Sequence, residues 1–260
     1  VRLSDVVLVP SVQHTGTWFV IRFLQRFFPT VRELTFAMED TPKPGTADVD
    51  YEMTYSSPIN GKAVLHVHLP IARYLNWDVG WPDTVFHRRW FANLATVRSL
   101  PVRTIMLFCN LFKAVVPVRD PMAAILTREA RHPQFRHFFI VDGFVALATE
   151  FARHPNVMFL PVDAADTEER RAALLAKALR HVGVDPGGHR GEVAALAASW
   201  LPENETPNNR FKDMYDAGDL DGLRRELGPK WAEVEYLRNM SSIILPFLEG
   251  VGYTRGQLRY

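Results

Sequence analysis

The chain has 260 residues, 47% of them apolar and 23% charged, with 30 basic against 29 acidic side chains and a formal net charge of +1. That length and apolar share suit one domain with an ample buried core, and they exclude disorder and low complexity. Near-neutrality argues against a bulk nucleic-acid binder, so any bound anion has to be held by a few placed groups.

Val6 to Val9 is a β-branched run ended by Pro10 and predicts a buried strand. Ser11 to Gly16 is a polar turn, and Thr17 to Phe28 predicts a helix that Pro29 halts. A polar, proline-bearing segment follows from Glu39 to Gly61, with Glu39, Asp40, Asp48, Asp50 and Glu52; connections of that length are often functional. Ala63 to His68 predicts a second strand, closed by Pro70. The stretch from Leu100 to Phe112 is ambiguous between strand and buried helix. Ala114 to Val118 predicts a third strand, followed by Arg119-Asp120-Pro121 and a helix from Met122 to Arg131. Phe138 to Arg153 predicts a helix, Val157 to Val162 a strand, and Thr167 to His181 an amphipathic helix. Glu168 and Glu169 suit the positive end of that last helix. Beyond Gly191 the pattern is helical, interrupted by a polar interval from Pro202 to Lys212.

Strands alternating with helices predict an α/β three-layer sandwich, with a central, mainly parallel sheet flanked by helices, as a single domain over residues 1–260. Ligands of such sheets gather at the carboxyl ends of strands. The lone Cys109 forms no intrachain disulfide, and its apolar setting predicts a buried, inert thiol. The longest apolar stretch, Thr104 to Val118, is broken by Asn110, Lys113 and Pro117 and is too short to span a bilayer. Val1 to Val12 holds Arg2 and Asp5 but no extended signal-peptide core, so a soluble, cytoplasmic protein is expected.

Three strand ends carry the candidate chemistry. At the first, Gln13-His14-Thr15-Gly16-Thr17-Trp18 joins a strand to a helix through a glycine. Backbone N–H groups, the helix dipole and the threonine hydroxyls suit an anion there, although a plain structural turn fits equally well. The Walker lysine is missing, which weakens a kinase or ATPase reading. At the second, His66 and His68 lie two apart on a strand and so share a face. They suit a metal pair, a general base with a neighbouring donor, or two ordinary polar residues, and no third metal ligand follows at a suitable spacing. At the third, Arg119 follows a strand directly, where its planar fork suits a phosphate. Asp120 and Pro121 suit a helix cap and first turn, and Thr127 lies about two turns along.

Together the three segments resemble the PAPS-dependent sulfotransferases, whose donor is 3′-phosphoadenosine-5′-phosphosulfate (PAPS). The family's first loop usually reads Pro-Lys-Ser-Gly-Thr-Thr-Trp, and Gln13-His14-Thr15-Gly16-Thr17-Trp18-Phe19 takes its place. The family's Lys-Thr-His-Leu-Pro is similar to His66-Val67-His68-Leu69-Pro70, and its Arg-(Asn/Asp)-Pro with a serine eight residues after the arginine is similar to Arg119-Asp120-Pro121 with Thr127. The resemblance covers most of the chain and implies a P-loop NTPase-like sulfotransferase architecture. It implies that His14, Thr15, Gly16 and Thr17 hold the 5′-phosphosulfate, that Arg119 and Thr127 bind the 3′-phosphate, and that Phe19 or Trp18 stacks on adenine. His68 becomes the catalytic base, with His66 and His14 neutralising charge on the leaving phosphate. His14 replaces the family's loop lysine, Trp18 its second threonine, and Arg210 in Asn208-Asn209-Arg210-Phe211-Lys212 is the counterpart of a late Arg-Lys-Gly clamp.

The implied function is sulfuryl transfer from PAPS to a hydroxyl or amine of a small-molecule or carbohydrate acceptor, leaving 3′,5′-diphosphoadenosine (PAP) and requiring no metal. The alternative is a non-catalytic adenosine-phosphate-binding or acceptor-recognition protein on the same fold. The segment Glu39 to Gly61 and the run Trp77 to Trp90 are expected to shape the acceptor pocket. No nucleic-acid partner is expected, and oligomeric state is unreadable.

Overall fold

The computed structural model describes residues 6–12, 14–27, 33–35, 63–68, 106–107, 109–131, 139–200 and 209–258. The apolar runs form five strands: β1 (Val6–Ser11), β2 (Glu33–Thr35), β3 (Ala63–His68), β4 (Lys113–Val118) and β5 (Val157–Pro161). They make one sheet in the order β2-β3-β1-β4-β5, and every neighbouring pair is parallel. β1 and β4 lie at the centre and are buried along almost their whole length, which explains their continuous rather than alternating apolar pattern.

The period of two divides those side chains between two cores. Val7 and Val9 of β1, Val115 of β4, and Met158 and Leu160 of β5 join one cluster with α1 (Thr17–Phe27), α4 (Glu168–His181) and α5 (Arg190–Ala198). Leu8 of β1 and Ala114, Val116 and Val118 of β4 join the other. That second face is covered by α2 (Pro121–Arg131), α3 (Phe139–Ala146) and the later helices α6 (Arg210–Asp216), α7 (Leu220–Leu227), α8 (Trp231–Asn239) and α9 (Ser241–Val251). The expected α/β arrangement of a parallel sheet with helices on both faces is therefore present.

Several boundaries differ from expectation. β1 runs through Pro10 to Ser11, with Pro10 opposite Val67 of β3; near a strand end a proline removes one donor without ending the pairing. β2 was not expected, because three residues are too few to show a period. The ambiguous stretch is helical at residues 106–107 and 109–111. The helix expected from Phe138 to Arg153 stops at Ala146 and continues as a π turn, Leu147–Phe151. Thr167 caps α4 by accepting a hydrogen bond from the Arg170 N–H at 3.3 Å. Cys109 is fully buried, and burial pushes its thiol up to about 12, in keeping with an inert side chain. The segments 39–61 and 77–90, expected to shape an acceptor pocket, lie outside the described residues. Among the described residues, no helix is long and apolar enough to cross a membrane.

Candidate functional site

The chain leaves β1 toward β2 on one side of the sheet and leaves β4 toward β5 on the other. Connections that diverge from adjacent strands leave a crevice beyond their carboxyl ends, where parallel sheets place ligands. Ser11, Arg119 and Asp163 follow or end β1, β4 and β5 at that edge.

The β1–α1 turn is built on two left-handed residues, His14 at φ 63° and Gly16 at φ 90°. A Cβ on Gly16 would stand 3.0 Å from Val162 Cγ2, so glycine satisfies both the backbone conformation and the close approach of the segment after β5. Gly143 of α3 has a similar role on the other side, where a Cβ would meet Val12 Cγ2 at 2.7 Å. The Thr15 hydroxyl donates to Val12 O at 2.7 Å and is fully buried. It closes the turn. The Gly16 carbonyl accepts from Val20 N–H, which starts α1 immediately after the turn and leaves the helix N-terminus at the crevice. Thr17, the first residue of α1, is also buried.

The two candidate stacking rings separate sharply. Phe19 is 7% exposed and packs against Trp200 with ring centroids 4.5 Å apart, while Trp200 Nε1–H donates to Val162 O at 2.8 Å. Phe19 thus belongs to the core beneath the turn and is not available to an adenine. Trp18, its neighbour, is 47% exposed.

Arg119 and Thr127, eight residues apart, are brought together. Arg119 Nη1 donates to Thr127 Oγ1 at 3.2 Å, and the Thr127 hydroxyl donates in turn to Ala123 O at 2.8 Å. Thr127 therefore orients Arg119, and its own proton is committed to its helix. Arg119 is 2% exposed; its Nε is buried, has no hydrogen-bond acceptor among the described residues and lies 3.7 Å from Asp163 Oδ2. Asp120 caps α2, with Oδ1 accepting from Met122 N–H at 3.0 Å and Pro121 at the first helical position.

Asp163, Tyr215 and Tyr253 were not anticipated from the sequence. The Asp120 backbone N–H donates to Asp163 Oδ2 at 3.1 Å, and Tyr215 of α6 donates to Asp120 Oδ2 at 3.3 Å. Tyr253, just beyond α9, places its hydroxyl against both Val118 O, at 3.0 Å, and Asp163 Oδ1. Burial pushes the Asp120 carboxyl up to about 7, assisted by the nearby Asp163 and opposed by Met122 N–H, Tyr215 and Arg119. Desolvation of its inner side raises Asp163 as well, against the hydrogen bond from Tyr253 and the charge of Arg119, although its side chain keeps 24% of its surface exposed.

His66 and His68 stand on β3 opposite Val9 and Ser11 of β1. The register thus sets His68 beside the last residue before the turn. Arg210 opens α6, where its exposed guanidinium pairs with Glu226 at 3.0 Å and lies 5.0 Å from the Phe211 ring centroid. Among the described residues it joins none of the Arg119 group. Its neighbour Asn209 caps α6 and donates to Leu126 O at 3.3 Å, tying that helix to α2. No family model matches the chain, and no match is found among curated proteins or solved structures.

Proposed function

We propose that the protein is a sulfotransferase of P-loop-like architecture that moves a sulfuryl group from PAPS to a hydroxyl or amine of a small-molecule or carbohydrate acceptor. The observation that carries this reading is the Arg119–Thr127 hydrogen bond at the end of β4, beside a glycine turn at the end of β1. One donor carrying phosphate groups at two ends matches two anion-suited strand ends on adjacent strands. The residues fit such a donor: Arg119 keeps a buried Nε with no acceptor among the described residues, and the turn presents the start of α1.

In this reading the α1 N-terminus and the turn backbone hold the 5′-phosphosulfate, while Arg119, steadied by Thr127, holds the 3′-phosphate. Trp18 supplies the exposed ring for adenine. His68 removes the acceptor proton as the acceptor oxygen or nitrogen bonds to sulfur and the sulfur–oxygen bond to the 5′-phosphate breaks. His14, and His66 from β3, offset the charge that develops on the departing phosphate. The donor, PAPS, supplies an activated sulfuryl group, and the acceptor stays at the level of its class.

The deciding experiment is titration of PAP into wild-type and Arg119→Ala protein, with single-turnover transfer by His68→Ala. Arg119→Ala is expected to weaken PAP by one to two orders of magnitude, on the order of the 1.5–3 kcal/mol of a hydrogen bond to a charged group. Unchanged affinity rejects the 3′-phosphate assignment, and wild-type transfer by His68→Ala removes His68 as the base. The alternative, a non-catalytic adenosine-phosphate binder, draws on His14 standing where a lysine would assist departure. Bound PAPS that no acceptor consumes would favour it.

A further inference from the structure

We propose that anion binding at Arg119 is coupled to proton uptake by the Asp120–Asp163 carboxyl pair, so that the site takes an anionic ligand and a proton together. This inference rests on the reading of Arg119 as the 3′-phosphate ligand and adds a regulation of that site.

The geometry sets a carboxylate in competition with the ligand. Asp163 Oδ2 lies 3.7 Å from Arg119 Nε, the guanidinium atom that has no hydrogen-bond acceptor among the described residues. An ionised Asp163 therefore neutralises the charge that an anion would use. Among the described residues, the charged and titratable groups facing the pair are Arg119 from the β4–α2 junction, Tyr215 from α6 and Tyr253 beyond α9. Among the described residues two carboxyls share this space with one cation, and Asp163 is held on Asp120 by the Asp120 backbone N–H.

The fold also has a place for the extra proton. The Tyr253 hydroxyl carries one hydrogen yet approaches two oxygens, Val118 O at 3.0 Å and Asp163 Oδ1. With Asp163 ionised, Tyr253 donates to the carboxylate. With Asp163 protonated, the carboxylic acid donates to Tyr253 Oη, and Tyr253 donates to Val118 O. Both states keep the same heavy-atom contacts, so protonation needs no rearrangement of the backbone.

The direction follows from charge. An anion on Arg119 withdraws the cation that favours the ionised pair and adds a negative charge beside it, raising the affinity of the pair for a proton. Asp120 already holds its proton up to about 7, so the coupling acts just above neutrality. By reciprocity, lower pH strengthens anion binding.

The test is calorimetric titration of PAP into the wild-type protein near pH 8, in two buffers of different ionisation enthalpy, with affinity followed between about pH 7 and 9. Monophosphate groups, with a second pKa of about 6, are already ionised there, so proton uptake is by the protein. The expected result is uptake approaching one proton, with Kd rising by up to about tenfold per pH unit. Asp163→Asn keeps an oxygen for the Asp120 N–H and is expected to lose this dependence while still binding PAP. A buffer-independent enthalpy with a flat Kd overturns the coupling and leaves the PAP reading standing. Uptake unchanged in both Asp163→Asn and Asp120→Asn also overturns it, because the proton then goes elsewhere. No binding of PAP at any pH overturns the 3′-phosphate reading and the coupling with it.

Discussion

Trp18 and Phe19 are adjacent in sequence, yet α1 turns one toward solvent and the other into the core against Trp200. Substituting each by alanine therefore separates binding from stability. Trp18→Ala is expected to leave the urea midpoint nearly unchanged while weakening PAP by about 1–3 kcal/mol, the usual worth of a base–aromatic stack. Phe19→Ala is expected to cost about 3–5 kcal/mol of stability. Equal PAP affinity in Trp18→Ala and wild type would remove the stacking role. Gly16 carries a different constraint, since its φ of 90° and the 3.0 Å approach of Val162 both oppose a side chain. Gly16→Ala is expected to lose about 1–3 kcal/mol in chemical denaturation. A neutral outcome would mean that the turn can relax around a Cβ.

Between elements, a buried polar joint lies where α2 meets α8. Arg128 and Glu129 of α2 and Glu233 of α8 are each no more than 3% exposed. Arg128 Nη2 contacts both Glu129 Oε1 and Glu233 Oε2, and Lys230, just before α8, contacts Glu129 Oε2. Nearby, Tyr236 of α8 donates to Asp142 Oδ1 of α3 at 2.8 Å. Replacing Arg128 by methionine keeps the length of the side chain and strands two carboxyls with one lysine. The expected cost is about 3–5 kcal/mol, read as a shift in denaturation midpoint. A variant as stable as wild type would show that Glu129 and Glu233 are readily neutralised in place. The same joint docks the carboxy-terminal helices on α2, and through Tyr215 and Tyr253 those helices reach the candidate site.

At the scale of the molecule, the buried carboxyls impose a pH dependence on folding. Burial pushes Asp120, Asp142 and Glu233 each up to about 7. The folded chain then holds protons that the unfolded chain releases near pH 4, at about the ordinary carboxyl pKa. Their contribution to stability is full below that ordinary value and is lost as pH rises through about 7. His181 acts in the opposite sense, because burial lowers its pKa and folding favours its neutral form, which loses ground below about pH 6.5. The urea midpoint is expected to be higher at pH 6.5 than at pH 8, and Asp142→Asn should reduce the difference. A midpoint that falls between pH 8 and pH 6.5 contradicts the sign.

Local pattern alone was enough for much of this. The strand Ala63–His68 and most of β4, β5, α1 and α4 were legible because continuous β-branched runs and a 3.6-residue period are properties of neighbours in sequence. The spacing of Arg119 and Thr127 was legible for the same reason, since a strand end followed at once by a helix fixes how far apart the two can lie. Position along the chain could not say that Phe19 would be core and Trp18 surface, nor that the Thr15 proton would go to Val12 O. Least visible were Asp163, Tyr215 and Tyr253, which stand 43, 95 and 90 positions from their partners Asp120, Asp120 and Asp163. Composition and motif determined that a near-neutral chain must hold an anion with a few placed charges. Only the folded sheet decided what stands against Arg119, because the Asp163 carboxylate becomes its counter-charge, 3.7 Å away, only when β5 lies beside β4.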